Sequence, residues 1–269
     1  MQYEIGFIGC GNMGGALARA VAKSVSPTAV LLCDQNEEKT AALAAELGAK
    51  TASIREVAEN CRFVVLGVKP QVLGETLASI RDVLQSRRDV VLISMAAGTS
   101  TEKIGEHLGF SCPIIRIMPN TPATLGEGVI LYTVNGADES AVAAFCQYFA
   151  PAGLIDLIDE SKIDAASALS GCGPAFAYIF LEALADAAVE CGLPRDKALL
   201  YASRTLRGAA CMAEEFGNPS TLKDAVCSPG GTTVAGVHAL ENAGFRAAAM
   251  NAVTAAYRRT LELAGKSSK

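Results

Sequence analysis

Short, largely apolar and β-branched runs recur along the first half of the chain: IGFIG from Ile5, AVLLCD from Ala29, FVVLGV from Phe63, VVLISM from Val90 and PIIRIM from Pro113. Longer stretches with apolar residues at helical spacing lie between them. This alternation predicts a parallel β-sheet with crossover helices, and the runs are largely apolar because both faces of such a sheet are covered. VILYTV from Val129 and LIDLI from Leu154 read as further strands at the end of the sheet. After about Asp159 the strand pattern stops. Helical segments then follow one another, punctuated by Pro and Gly at expected starts and stops, from KIDAASALSG to FRAAAMNAVTAAYRRTLELAGK. The expected division is residues 1–158 and 159–269. Several of the later helices are apolar around most of their circumference, more than a small helical unit buries alone, which predicts packing against a second copy.

With 269 residues, 51% of them hydrophobic, the chain is large enough to bury a core without cross-links. A net charge of −5 with scattered Lys and Arg argues against nucleic-acid and membrane-surface partners and leaves small molecules and other subunits. The nine cysteines include no C-x-x-C pair, and His107 and His238 are the only histidines, so no metal site is expected. The thiols read as reduced, in a cytoplasmic protein. The start MQYE lacks the marks of a signal peptide, and the uncharged run AASALSGCGPAFAYIFL falls short of the ~20 apolar residues of a spanning helix. It reads as a buried helix and its entrance, and the terminal GKSSK as a frayed tail.

Directly after the first strand comes GCGNMGG, with Gly9, Gly11 and Gly14 in the spacing G-x-G-x-x-G and Cys10, Asn12 and Met13 between them. The glycines follow a strand and open a helix. A second strand ends at Asp34, placed to meet a ribose hydroxyl. In a Rossmann-type, doubly wound sheet Gly9 permits the turn, Gly11 admits a pyrophosphate, Gly14 lets helix and strand pack, and the helix N-terminus faces the phosphates. Ligands in such sheets bind beyond the carboxyl ends of the strands, which makes Val68, Lys69, Pro70, Ala97 and Gly98 candidate lining residues.

A second glycine cluster stands far from any strand, in LKDAVCSPGGTTVAGVHALE from Leu222. Pro229 cannot continue a helix, Gly230 and Gly231 expose backbone amides, and a helix starting at Thr232 or Thr233 leaves further N–H groups unpaired. That arrangement suits a small carboxylate, with a threonine hydroxyl for a nitrogen nearby. The alternative is a helix corner capped by threonine.

This segment closely resembles the signature of the pyrroline-5-carboxylate reductases, and the resemblance extends through FIGCGNMGGAL, VKP, SMAAG, RIMPNTPA and ALSGCGPAFAYIFLEALADAA. It implies reduction of 1-pyrroline-5-carboxylate to L-proline by NAD(P)H, the last step of proline biosynthesis. It also implies an all-helical dimerisation domain, with dimers that can assemble into rings. By match to the family's motifs, the substrate carboxylate lies on the amides of Gly230, Gly231 and Thr232, in the cradle that Ser228 opens. The catalytic Thr233 hydroxyl contacts the ring nitrogen. Asn120 and Pro122, with Lys69, Pro70, Ala97 and Gly98, line the nicotinamide side. A β-hydroxyacid dehydrogenase shares this architecture but needs a lysine, and none occurs between Ile163 and Asp196. A non-catalytic dinucleotide sensor is the other alternative. CDQNEEK after the second strand places carboxylates where NADPH would carry its 2′-phosphate, and Lys39 is the only nearby cation in sequence, so NADH is expected to serve at least as well.

Overall fold

The computed structural model describes residues 3–265; Lys266 to Lys269, most of the expected tail, lie outside them. Eight strands form one sheet: β1 (Tyr3–Ile8), β2 (Val30–Cys33), β3 (Lys50–Thr51), β4 (Cys61–Leu66), β5 (Val91–Ser94), β6 (Ile114–Met118), β7 (Gly128–Asn135) and β8 (Gly153–Leu157). Their order is β3-β2-β1-β4-β5-β6-β7-β8. Winding reverses between β1 and β4, so a crevice opens beyond their carboxyl ends. All pairs are parallel except β6 with β7. The parallel sheet expected from the sequence is thus borne out, with one antiparallel pair toward its end. The short link between β6 and β7, which holds only a turn of 3₁₀ helix at Thr121–Leu125, cannot form a crossover helix, so the chain returns antiparallel.

Alternate residues feed two cores. Ile5, Phe7, Val30, Leu32, Phe63 and Val65 face one side of the sheet, where α1 (Asn12–Val21) and later α6 (Glu139–Phe149) pack. Ile8, Leu31, Val64, Leu66 and Leu92 face the other. There α3 (Ile54–Asn60), α4 (Pro70–Ser86) and α5 (Thr101–Leu108) cover them, while α2 (Glu37–Leu47) runs from β2 to β3. The helical series continues with α7 (Glu160–Ser170), α8 (Gly173–Glu190), α9 (Arg195–Phe216), α10 (Pro219–Ala225), α11 (Thr232–Asn242) and α12 (Phe245–Leu263).

Two compact units result. One comprises the chain through Cys172 together with the stretch from Ala256 onward, the other Gly173–Ala255. The sequence placed the division at 158/159, before α7. Arg116 on β6, 1% exposed, explains the difference: it pairs with Glu160 (3.3 Å) and Asp164 (2.8 Å) of α7. The Glu160 carboxylate also accepts from the Thr101 amide (2.8 Å) and hydroxyl (2.7 Å) at the start of α5. The end of α12 is held similarly, as Lys103 Nζ donates to the Ala264 carbonyl (3.2 Å).

The second unit has a thin core of Ala185, Ala198 and Ala202, flanked by Leu181, Leu184 and Val189. Ile179 (68% exposed), Met250 (66%) and Phe216 (65%) face outward. The reading of α8 as a buried helix therefore fails within one chain. Glu160–Glu190, with a mean hydropathy of 1.4, is also long and apolar enough by length and composition to cross a membrane, contrary to the shorter estimate from the uncharged run.

Candidate active site

The first glycine loop is pinned by backbone bonds at both sides. Gly9, at φ 101°, donates to the Cys33 carbonyl (2.8 Å), and Gly67 at the end of β4 donates to the Ile8 carbonyl (2.7 Å). A Cβ on Gly9 would stand 2.5 Å from the Gly67 carbonyl carbon, and one on Gly14 only 2.0 Å from the Gly9 oxygen. Nothing lies within 4 Å of where a Cβ on Gly11 would be. Gly9 and Gly14 therefore serve close packing, while Gly11 faces open space. Gly11 is also the N-cap of α1; no side chain caps that helix and no acidic residue occupies its first turn. Asn12 and Met13 begin it. The exposed amides and the positive end of the helix dipole make an anion seat.

Asp34 stands beside this seat. Its Oδ2 accepts from the Cys10 amide (2.6 Å) and its Oδ1 from the Asn36 amide (3.0 Å). Asn36, not Asp34, caps α2, accepting from the Lys39 amide. Each carboxylate oxygen keeps a lone pair for a further donor. Burial pushes the Cys10 thiol up to about 12, so it remains a protonated packing group.

A groove of about 1350 Å³ opens here, walled by Gly9, Gly11, Asp34, Val68 and Lys69 of the residues expected from sequence. Part of its wall has no counterpart in the sequence reading: Ser53 and Arg55 at the start of α3, with Val72 and Thr76 on α4. Pairing of Leu32 with Thr51 brings the chain after β3 alongside Asp34. The available signal was the capping box Ser53-x-x-Glu56, which fixes that turn.

Pro70, Ala97, Gly98, Asn120 and Pro122 do not wall this groove. Pro70 opens α4 behind Lys69. Ala97 and Gly98 form the loop after β5, with Gly98 at φ 70° against Ala264. Asn120 is buried and its carboxamide bridges two elements, accepting from the Val129 amide (2.8 Å) and donating to the Ser170 carbonyl (2.9 Å). Pro122 lies in the 3₁₀ turn that follows.

The second glycine cluster belongs to the other unit. The Gly231 amide donates to the Ser228 carbonyl (3.0 Å), closing a turn in which Gly230 takes φ 68°. Gly231 is the N-cap of α11, which again has no side-chain cap and no acidic residue in its first turn. Thr232 and Thr233 are the first residues of the helix and both are exposed. The threonine-capped corner considered from sequence is not what forms: the chain presents bare amides with hydroxyls beside them. His238, farther along α11, shares a hydrogen bond with Asn242 (2.9 Å). The His107 carbonyl accepts from Arg81 (2.6 Å). Among the described residues no group of three or more His, Cys, Asp or Glu side chains could hold a metal.

Known proteins share these features. Residues 160–263 match the family model "Pyrroline-5-carboxylate reductase dimerisation", and residues 4–98 match "NADP oxidoreductase coenzyme F420-dependent". Pyrroline-5-carboxylate reductase of Pisum sativum is 40% identical over 266 residues, spanning 97% of this chain and 96% of the relative. The Plasmodium falciparum pyrroline carboxylate reductase, solved with NADP bound, superposes with a TM-score of 0.88 at 33% identity over 98% of this chain and 99% of the other. The Coxiella burnetii pyrroline-5-carboxylate reductase gives a TM-score of 0.89 at 32% identity over 100% of both chains. With its fold, both glycine seats and near-full-length similarity in agreement, the chain belongs to the pyrroline-5-carboxylate reductase family.

Proposed function

We propose that this protein reduces 1-pyrroline-5-carboxylate to L-proline, the final step of proline biosynthesis, using a reduced nicotinamide dinucleotide. The observation that carries the reading is the start of α11, where an uncapped helix follows the Gly230–Gly231 turn and brings Thr232 and Thr233 to the surface. The amides of Gly230 and Thr232 bind the substrate carboxylate beside Ser228, the Gly231 amide being held by the Ser228 carbonyl in the turn that shapes the cradle, and the Thr233 hydroxyl holds the ring nitrogen. A protonated imine is already electrophilic, so these groups orient it without a strong general acid. When bound, the reduced nicotinamide supplies the hydride that adds to the imine carbon.

The residues present fit such a coenzyme. The open face of Gly11 and the uncapped start of α1 receive a pyrophosphate, and Asp34 accepts from ribose hydroxyls. Lys69, Pro70, Ala97, Gly98, Asn120 and Pro122 are assigned to the nicotinamide end by their match to the family's motifs. Asp34, Glu37 and Glu56 around the groove favour NADH at least as strongly as NADPH, since like charges oppose a 2′-phosphate.

In this reading residues 1–158 bind the coenzyme, and 159–269 bind substrate and dimerise, with rings of dimers as the larger assembly. The match to the dimerisation model and the outward-facing apolar helices support a homo-oligomer, in which Glu160–Glu190 is read as a subunit contact. The nine free cysteines suit a cytoplasmic enzyme. The test is to add pyrroline-5-carboxylate to purified protein and NADH, follow the loss of reduced nicotinamide, and identify the product. L-proline formed in step with NADH loss is expected. No loss with either coenzyme would overturn the proposal.

A further inference from the structure

We propose that Arg55 is a specificity-determining residue: it receives the ribose 2′-phosphate of a dinucleotide by exchanging it for Asp82. The inference rests on the groove being the coenzyme site. Leu31 pairs with Lys50 and Leu32 with Thr51, and the Ala52 amide donates to the Leu32 carbonyl (2.9 Å), extending the contact one residue beyond β3. The chain after β3 therefore runs beside the chain after β2, roughly one strand spacing of about 4.8 Å away. Asp34, Gln35, Ser53 and Arg55 all wall the same groove, and Arg55 is its only arginine among the described residues.

Arg55 walls the groove, while its guanidinium is turned along α3 and α4 and weakly held there. Its Nε donates to Glu59 (2.9 Å), and its two terminal nitrogens fork onto the Asp82 carboxylate at 2.9 and 3.4 Å. All three side chains are about half exposed or more, and pairs of this kind in water contribute little. Glu59 fixes the direction of the fork, while Asp82 occupies the edge that fits a phosphate equally well. A phosphate dianion offers the same two-oxygen geometry with more charge, so the exchange favours it. Asp34 and Glu56 wall the same groove and oppose the phosphate by their charge. Coenzyme choice is then a contest between the carboxylates after β2 and an arginine that lies 21 residues farther along the chain than Asp34.

The test uses the full chain and two probes without nicotinamide, adenosine 5′-phosphate and adenosine 2′,5′-bisphosphate, with affinities measured by calorimetry. Arg55→Gln is expected to weaken the bisphosphate about fivefold or more while changing the monophosphate less than about twofold. Asp82→Asn frees the fork and is expected to tighten the bisphosphate about two- to threefold. Equal losses for both nucleotides in Arg55→Gln, no loss for either, or a bisphosphate no tighter in Asp82→Asn would overturn the proposal. Failure of the native protein to bind either nucleotide would remove the coenzyme reading of the groove as well. Absence of imine reduction with these affinities intact would affect only the assigned reaction.

Discussion

Replacing Gly14 or Gly11 by alanine separates the two tasks of the first glycine loop. A Cβ at Gly14 would stand 2.0 Å from the Gly9 oxygen, and ordinary contact requires about 3.4 Å, so loop or helix must move by more than about 1 Å. Gly9 cannot yield easily, because its amide is bonded to Cys33 and its backbone is pressed against Gly67. Overpacking of this kind costs about 3 kcal/mol, and alanine in a helix returns up to about 1 kcal/mol over glycine, leaving a net loss of about 2 kcal/mol. For a domain of this size that lowers Tm by about 4–8 °C. A Cβ at Gly11 meets nothing within 4 Å, and its φ of −61° suits any residue. Gly11→Ala should cost under about 1 kcal/mol of stability and yet weaken coenzyme binding about tenfold or more, because the methyl group occupies the pyrophosphate seat. Calorimetry gives Tm. The emission of reduced nicotinamide on titration gives Kd, free of tryptophan background because the chain contains no tryptophan. The reasoning is refuted if Gly14→Ala melts and binds as the parent does, or if Gly11→Ala is the more destabilised of the two.

Thr233→Ala should lower kcat/KM by about one to three powers of ten with Tm unchanged, through loss of the hydrogen bond to the reacting nitrogen; kinetics within a factor of two of the parent would remove Thr233 from the reaction. A Cβ at Gly231 would lie 2.5 Å from the Ser228 hydroxyl oxygen, so Gly231→Val should raise KM for the imine while leaving Kd for NADH near the parent value, and equal loss of both would contradict the assignment. An Asp34→Ser, Gln35→Arg double variant should shift the NADPH-to-NADH ratio of kcat/KM about tenfold upward. It should also weaken both coenzymes, since the bond to the Cys10 amide is lost; a native enzyme that strongly prefers NADPH would overturn this account. Arg116→Ala leaves Asp164 buried opposite a missing cation, so stability should fall by about 3–5 kcal/mol, and a loss below about 1 kcal/mol in denaturant titration would show that the pair does not anchor α7.

The inner strands were legible because both faces of the sheet are buried there, so each prints an apolar run; Lys50–Thr51 printed none, being two exposed residues. The antiparallel return of β7 could be read only from the shortness of the link before it. Arg116 inside PIIRIM was a signal left unread: a charge in the middle of a buried strand demands partners, and those partners draw α7 to the sheet. Both glycine seats were legible because bare backbone followed by a helix start is a local feature. The groove wall at Ser53 and Arg55 was not, since strand pairing creates it between residues distant in sequence. Asn120 shows the limit of motif matching, which named the residue without revealing that its carboxamide bridges β7 and the end of α7.

The thin core of the second unit has a thermodynamic consequence. A unit held together by three alanines and their neighbours, with Ile179, Phe216 and Met250 facing water, draws little folding free energy from within itself. Its stability then follows mass action: association supplies what the interior lacks, and the melting temperature rises with the logarithm of protein concentration. Dilution becomes a denaturant. At low expression newly made chains wait for one another, so the amount of working enzyme grows faster than in proportion to synthesis until assembly saturates.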